Sequence, residues 1–146
     1  MWEFSDQVAS RSPAPAGVAA AAVVADLGLS LLIKTLVITG KRPDLLELAR
    51  AESARLRAAA EEDIAAVREL MRARDAAAMR KAIEIPTRAA RSVAAGVDLC
   101  RQVEGEVGGL LAADLGAAAA LLSGALQAIQ VCVDANLSAS SERARS

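Results

Sequence analysis

The chain of 146 residues contains no histidine and no tyrosine, and one phenylalanine and one tryptophan are its only aromatic side chains. Without histidine, the commonest general base and the commonest transition-metal ligand are both missing, so no zinc site is expected. Proton chemistry falls to Asp, Glu and Lys. The scarcity of aromatics argues against a β-sandwich or barrel, whose strands favour aromatic and β-branched residues in alternation. Only two cysteines are present, Cys100 and Cys132, with no CxxC spacing. They read as free thiols in a reducing cytoplasm, because an unpaired Cys behaves as a small apolar residue. Charge of one sign is lacking too: 17 basic and 18 acidic side chains leave a net charge of -1. Such a balance offers no global field for nucleic acid or an anionic membrane, and neither is an expected partner.

What is abundant is alanine, leucine, valine and isoleucine, within a hydrophobic share of 54%. A core of such side chains suits closely packed helices, since small residues let helix backbones approach. The length fits one domain with a core of its own. The N-terminal MWEFSDQVAS lacks the basic start and apolar run of a signal peptide, so export is not expected. Val18 to Gly40 is long enough to span a bilayer, but Asp26 and Lys34 interrupt it and charges at membrane depth are costly. We therefore read it as a buried helix.

Turn signals divide the chain into about five helices. A short amphipathic segment from Glu3 to Arg11 leads into SPAPAG, and a second helix is predicted from about Val18 to Thr39, stopped by Gly40. Pro43 and Asp44 open a third, longer helix. The pattern loosens at Arg74 and Asp75 before a fourth helix, expected to break or kink at Pro86 and to finish near Gly105. Gly108 and Gly109 precede a last helix from about Leu110 to Leu137. The expected architecture is an all-α, antiparallel up-and-down helix bundle, one domain over 1–137 with a polar, frayed tail over 138–146. Ala-rich helix faces suit a homodimer.

The third helix carries an apolar seam of Leu45, Ala49, Glu52, Leu56, Ala59, Asp63, Ala66 and Leu70 in alternating four- and three-residue steps. Asp63 is the informative member. A carboxylate on a Leu/Ala seam must be paired, face a cavity or accept a raised pKa, each of which makes it a candidate acid or base. Alternatively, a slight rotation turns Ile64 and Val67 inward and moves Asp63 to the rim. Asp26 and Lys34 pair with each other, meet partners on another helix, or mark a semi-exposed edge. Asp114 suits the dipole of the last helix, and Gln130 and Asn136 lie near its end. The backbone N–H groups after SPAPAG are available to an anion or a ligand oxygen. No Ser/His/Asp set, phosphate loop or dinucleotide fingerprint is present.

Taken in order from about Glu3 to Leu137, these segments resemble the cyclodeaminase/cyclohydrolase family, a folate-handling helical domain found alone or fused behind a formiminotransferase. The first helix is similar to EFSDQVAS. The family's Pro-x-Pro-Gly-Gly-Gly-Ser turn resembles Pro13-Ala14-Pro15-Ala16-Gly17-Val18-Ala19, with Ala16, Val18 and Ala19 in place of two glycines and the serine. A Gly-basic pair resembles Gly40-Lys41. The acidic cluster Asp-x-Asp-Ala-x-Ala-Phe is similar to Glu61 through Val67, with the family's proposed catalytic Asp on Asp63. Pro86, the Ala113-Asp114 opening and Asn136-Leu137 have counterparts in the fourth and last helices.

The resemblance implies an enzyme of one-carbon metabolism with a tetrahydrofolate derivative as substrate and no permanently bound cofactor or metal. Formiminotetrahydrofolate would lose ammonia to give the methenyl form, or methenyltetrahydrofolate would be hydrolysed to the formyl form. It makes Asp63 the acid/base, and Pro15, Gly17, Lys41, Asp114, Gln130 and Asn136 the substrate-binding set. Lys41 would meet the folate's glutamate carboxylate, and Asp114 and Asn136 the pterin. The alternative is a degenerate, non-catalytic member that binds folate or serves as a helical partner subunit.

Overall fold

Gly40 ends the first long helix as its sequence predicts. It adopts a left-handed φ of 63° and turns its N–H back to the Leu36 carbonyl, a conformation that glycine enters without a Cβ penalty. The computed structural model describes residues 2–145. Among them lie α1 (Glu3–Val8), α2 (Gly17–Thr39), α3 (Pro43–Ala73), α4 (Ala76–Val103) and α5 (Gly109–Arg143). Pro43 occupies the first turn of α3, where its missing N–H costs nothing. Asp75 caps α4, its side chain accepting the Ala78 N–H at 2.8 Å.

Short connections force consecutive helices antiparallel. α2, α3, α4 and α5 form a square in which each packs on the next, α5 closes against α2, and α2 and α4 meet only weakly across the diagonal. The core is built from Leu29, Leu32, Leu36, Leu56, Val93, Leu122 and Ile129, all almost fully buried. α2 and α5 approach so closely that a methyl group on Gly28 would stand 3.0 Å from the Leu122 side chain and 3.1 Å from the Ala118 carbonyl. At both ends, side chains tie the corners. Arg42 bonds to Asp44 and, at 2.9 Å, to Glu106, while Arg143 donates to the Arg74 carbonyl. α2 and α5 are both long and apolar enough to cross a membrane by length and composition. In the bundle, however, α2 buries an unbroken face from Val18 to Leu36 against its neighbours.

Two expectations are corrected here. α4 runs through Pro86 without a break. The proline removes the donor that would serve the Ala82 carbonyl, but the Asn136 side-chain amide of α5 donates to that carbonyl at 2.7 Å. The last helix also continues beyond Leu137 to Arg143, held by Ser141 on the Leu137 carbonyl and by Arg143 on the α3–α4 corner. Residues 138–143 are therefore helical rather than frayed.

Candidate functional site

α3 turns its seam inward, with Leu45, Ala49, Ser53, Leu56, Ala59, Ala60, Asp63 and Ala66 buried. Ser53 takes the place expected of Glu52, which stays half-buried in an ion pair with Arg55. Asp63 is only 3% exposed, whereas Ile64 and Val67 are half-buried, so the rotated alternative does not hold. Its neighbours along the seam are alanine and leucine, and one carboxyl oxygen, Oδ2, is buried with no hydrogen-bond partner. Such an orphaned atom is rare in a folded chain and calls for an explanation.

The α2–α3 hairpin places the first turn of α2 opposite Asp63. Ala16 caps α2 without a side-chain hydrogen bond, and the Ala20 N–H is the first to find a helical carbonyl, that of Ala16. The unpaired N–H groups of that first turn carry the positive end of the helix dipole. The N–H of Ala19 acts on the Asp63 carboxyl and favours its ionised form, but burial outweighs it and pushes the pKa up to about 6.

From the other side, α5 brings Cys132. A Cβ on Gly17 would stand 3.0 Å from the Cys132 sulfur, so the thiol packs onto the backbone where α2 begins. Burial first, and then the charge of nearby Asp63, raise the Cys132 pKa and keep it a neutral thiol. The SPAPAG turn closes the end of the site, with Ala14 and Pro15 buried and a cis peptide bond between them. Glu62, next to Asp63, pairs with Arg88 of α4, which puts buried Pro86 at the same level of the bundle.

Of the residues expected to bind substrate, Pro15 and Gly17 lie in the turn beside Asp63. Asn136 is one turn beyond Cys132 on α5, its amide committed to the Ala82 carbonyl. Gln130 points outward and donates to Asp134 at 3.0 Å. Lys41 and Asp114 are elsewhere. Lys34 of α2 pairs with Asp114 at 2.6 Å, and Lys34 is fifteen residues, or about 22 Å, along the helix from Ala19. Lys41 is farther still, about 33 Å on the same rise. Helices that span the whole bundle separate these residues, although the chain order had suggested one pocket. Asp26, the other charge on α2, reaches across to α3, where it accepts from Ser53 and pairs with Arg57 at 3.0 Å. Both odd charges of α2 are thus inter-helix pairs at the bundle surface.

Sequence reasoning missed Cys132. A thiol on an apolar helix gives no signal of its own; the available hint was its four-residue spacing from Asn136. On the outer side of α3, a groove of about 360 Å³ between α3 and α4 is lined by Glu52, Arg55, Glu62, Arg88, Arg91 and Ser92. Among the described residues no three His, Cys, Asp or Glu side chains converge where a metal ion would sit.

No curated protein matches the chain. Among solved structures, formiminotetrahydrofolate cyclodeaminase from Thermotoga maritima superimposes with a TM-score of 0.86 at 24% identity, over 94% of this chain and 78% of that one. At that identity the likeness speaks for the fold. The Formiminotransferase-cyclodeaminase family matches residues 1–146, so the match takes in the SPAPAG turn, Asp63 and the α5 segment that packs on them. On this whole-length match the chain belongs to the formiminotransferase-cyclodeaminase family.

Proposed function

We propose that the protein opens or closes the one-carbon bridge of tetrahydrofolate, as a formiminotetrahydrofolate cyclodeaminase or a methenyltetrahydrofolate cyclohydrolase, with Asp63 as its acid and base. One observation carries the reading: a carboxyl buried in an apolar seam at a helix N-terminus, with one oxygen unpartnered and a pKa of about 6. A group of that pKa exchanges protons efficiently near neutrality, as an ordinary aspartate does not.

In the cyclodeaminase direction the folate N10 attacks the formimino carbon. Asp63 accepts the N10 proton and returns it to the departing nitrogen, so that ammonia leaves and the methenyl bridge closes. In the cyclohydrolase direction water attacks the methenyl carbon, Asp63 takes one of its protons and passes it to the departing nitrogen as that carbon–nitrogen bond breaks, and the remaining hydroxyl proton goes to solvent as the formyl carbonyl forms. The N–H groups of the first turn of α2 would face a substrate oxygen, Pro15 and Gly17 would border the ring, and the free carbonyl oxygen of Asn136 would accept from the pterin. Lys41 and Asp114 of the same chain are too far from Asp63 to share that ligand. The protein is read as cytoplasmic, with no permanent cofactor and a folate as its small-molecule partner.

A homodimer is part of this reading. Val24, Leu27 and Ile38 of α2 and Leu121 and Val131 of α5 are exposed apolar side chains on helices with few charges, and a second copy of the chain would cover them.

Purified protein added to methenyltetrahydrofolate should speed the loss of its absorbance over buffer, and Asp63→Asn should abolish the acceleration. Binding of the folate without turnover would instead identify the non-catalytic alternative. Equal rates for wild type and Asp63→Asn would sink the catalytic role.

A further inference from the structure

Near Asp63, on the α5 side, lies one side chain that the folate chemistry does not need as a reactant. Cys132 is half-buried, its sulfur lies against the backbone of Gly17, and it is near enough to Asp63 for the carboxylate charge to act on it. Asp63 itself is only 3% exposed, and its Oδ2 has no hydrogen-bond partner. We propose that Cys132 is a positioning residue of this site: seated on Gly17, it seals the α5 side of Asp63 and holds water away from the carboxyl.

The remaining surroundings leave this work to Cys132. α2 offers only Gly, Ala and Val from Gly17 to Ala25, and its first ionisable group, Asp26, is about 10 Å farther along and taken by Ser53 and Arg57. On α3, Glu61 is exposed and Glu62 is paired with Arg88, the cation that α4 presents at this level; Glu84 of α4 is exposed. On α5, Gln130 and Asp134 bond to each other on the outer face. No cation reaches Asp63 from any of these elements, so what governs its protonation is access of water. A cysteine suits the post. It is larger than Ala and fills the gap above Gly17, where an added Cβ would collide with it, yet it turns about a single bond to admit a ligand. Its raised pKa keeps it uncharged, so it brings no negative charge beside the carboxylate.

This inference rests on the proposed role of Asp63 for its catalytic meaning, but its test does not require turnover. Carboxyl-¹³C-labelled aspartate in the full chain gives the titration midpoint of Asp63 by NMR, the resonance being assigned by its loss in Asp63→Asn. The wild-type midpoint should lie near 6. In Cys132→Ala, and in Cys132→Ser should the alanine variant fold poorly, water reaches Oδ2 and the midpoint should fall by about one unit or more. Cys132→Val fills the same space without a thiol, and its midpoint should stay within half a unit of wild type. A midpoint that does not move in the small variants, or that falls as far in Cys132→Val, overturns the proposal. Turnover that is absent while this pattern holds sinks only the folate reading; turnover with an immobile midpoint sinks only the role of Cys132.

Discussion

Asp63→Asn should make the protein more stable at neutral and alkaline pH while it removes activity. The Asp63 pKa rises from 3.8 to about 6 on folding. A shift of about two units corresponds to about 3 kcal/mol of differential interaction at 1.36 kcal/mol per unit. The folded chain binds this proton more tightly than the unfolded chain does. The stabilisation is therefore complete below pH ~4, the unfolded value, and is lost as pH rises through ~6, the folded value. Above pH 7 the folded protein bears the whole cost of a buried, half-satisfied carboxylate. Asparagine has nearly the same shape and never ionises. Urea denaturation of both proteins from pH 4 to pH 8 isolates this one group, because Cys132, the thiol on which the Asp63 charge acts, stays protonated over this range in both. The curves should be close at pH 4 and separate through pH 5–6. By pH 8 the variant should be ahead by about 1–3 kcal/mol, the lower figure allowing for an unpaired amide donor. Were Asp63 chiefly an anionic cap for α2, its loss would instead cost about 1 kcal/mol at neutral pH. A variant less stable than wild type at pH 8, or curves that run parallel, would refute the reasoning.

Two further outcomes follow from the packing. Asn136→Ala strands the Ala82 carbonyl and should cost about 1–3 kcal/mol in urea denaturation. In a Pro86→Ala background, where residue 86 regains its N–H, the same change should cost only a few tenths, and equal costs in both backgrounds would disprove the coupling. Sedimentation equilibrium should give twice the 15.0 kDa chain mass, and Leu27→Glu, at a position 57% exposed in the single chain, should return folded monomer. A wild-type monomer at all concentrations refutes the shared face.

The helices were legible because their ends are written locally, with Gly40 as a left-handed stop and Pro43 in a first turn, whereas Asp75 showed only as a loosening of the pattern and its capping of α4 emerged from the structure. The inward turn of Asp63 was only half legible. Four- and three-residue steps fix a face to within a small rotation, and α3 has neighbours on two sides, so Ile64 and Val67 are half-buried as well. Pro86 misled because the donor that replaces its N–H comes from a residue 54 positions beyond the Ala82 carbonyl it serves. The same long range hid Cys132, which meets Gly17 from the last helix. Lys41 and Asp114 were grouped with the site by the order of segments alone, although Lys41 follows the C-terminal end of α2 and the SPAPAG turn precedes its N-terminal end, which puts the two at opposite ends of the bundle. Asp114 answers Lys34 at the far end of α2.

The altered turn is the natural objection to a catalytic reading, since Ala16, Val18 and Ala19 stand where the resembling family has two glycines and a serine. The directions of the side chains weaken it. Val18 is 5% and Ala19 0% exposed, and both belong to the buried face of α2. Side chains that point into the bundle take up no room in front of the first-turn N–H groups, and Ala19 still turns its N–H toward Asp63. The position where a Cβ would intrude is 17, where it would press on the Cys132 sulfur, and there the glycine is kept. The two lost glycines and the serine thus sit where small apolar side chains either serve the core or, at Ala16, remain half-buried at the cap. A chain that had merely drifted from function would have no reason to hold an unpartnered carboxyl beside that one glycine. Asparagine at 63 would relieve a net cost of about 1–3 kcal/mol above neutral pH, and its absence favours a site still in use.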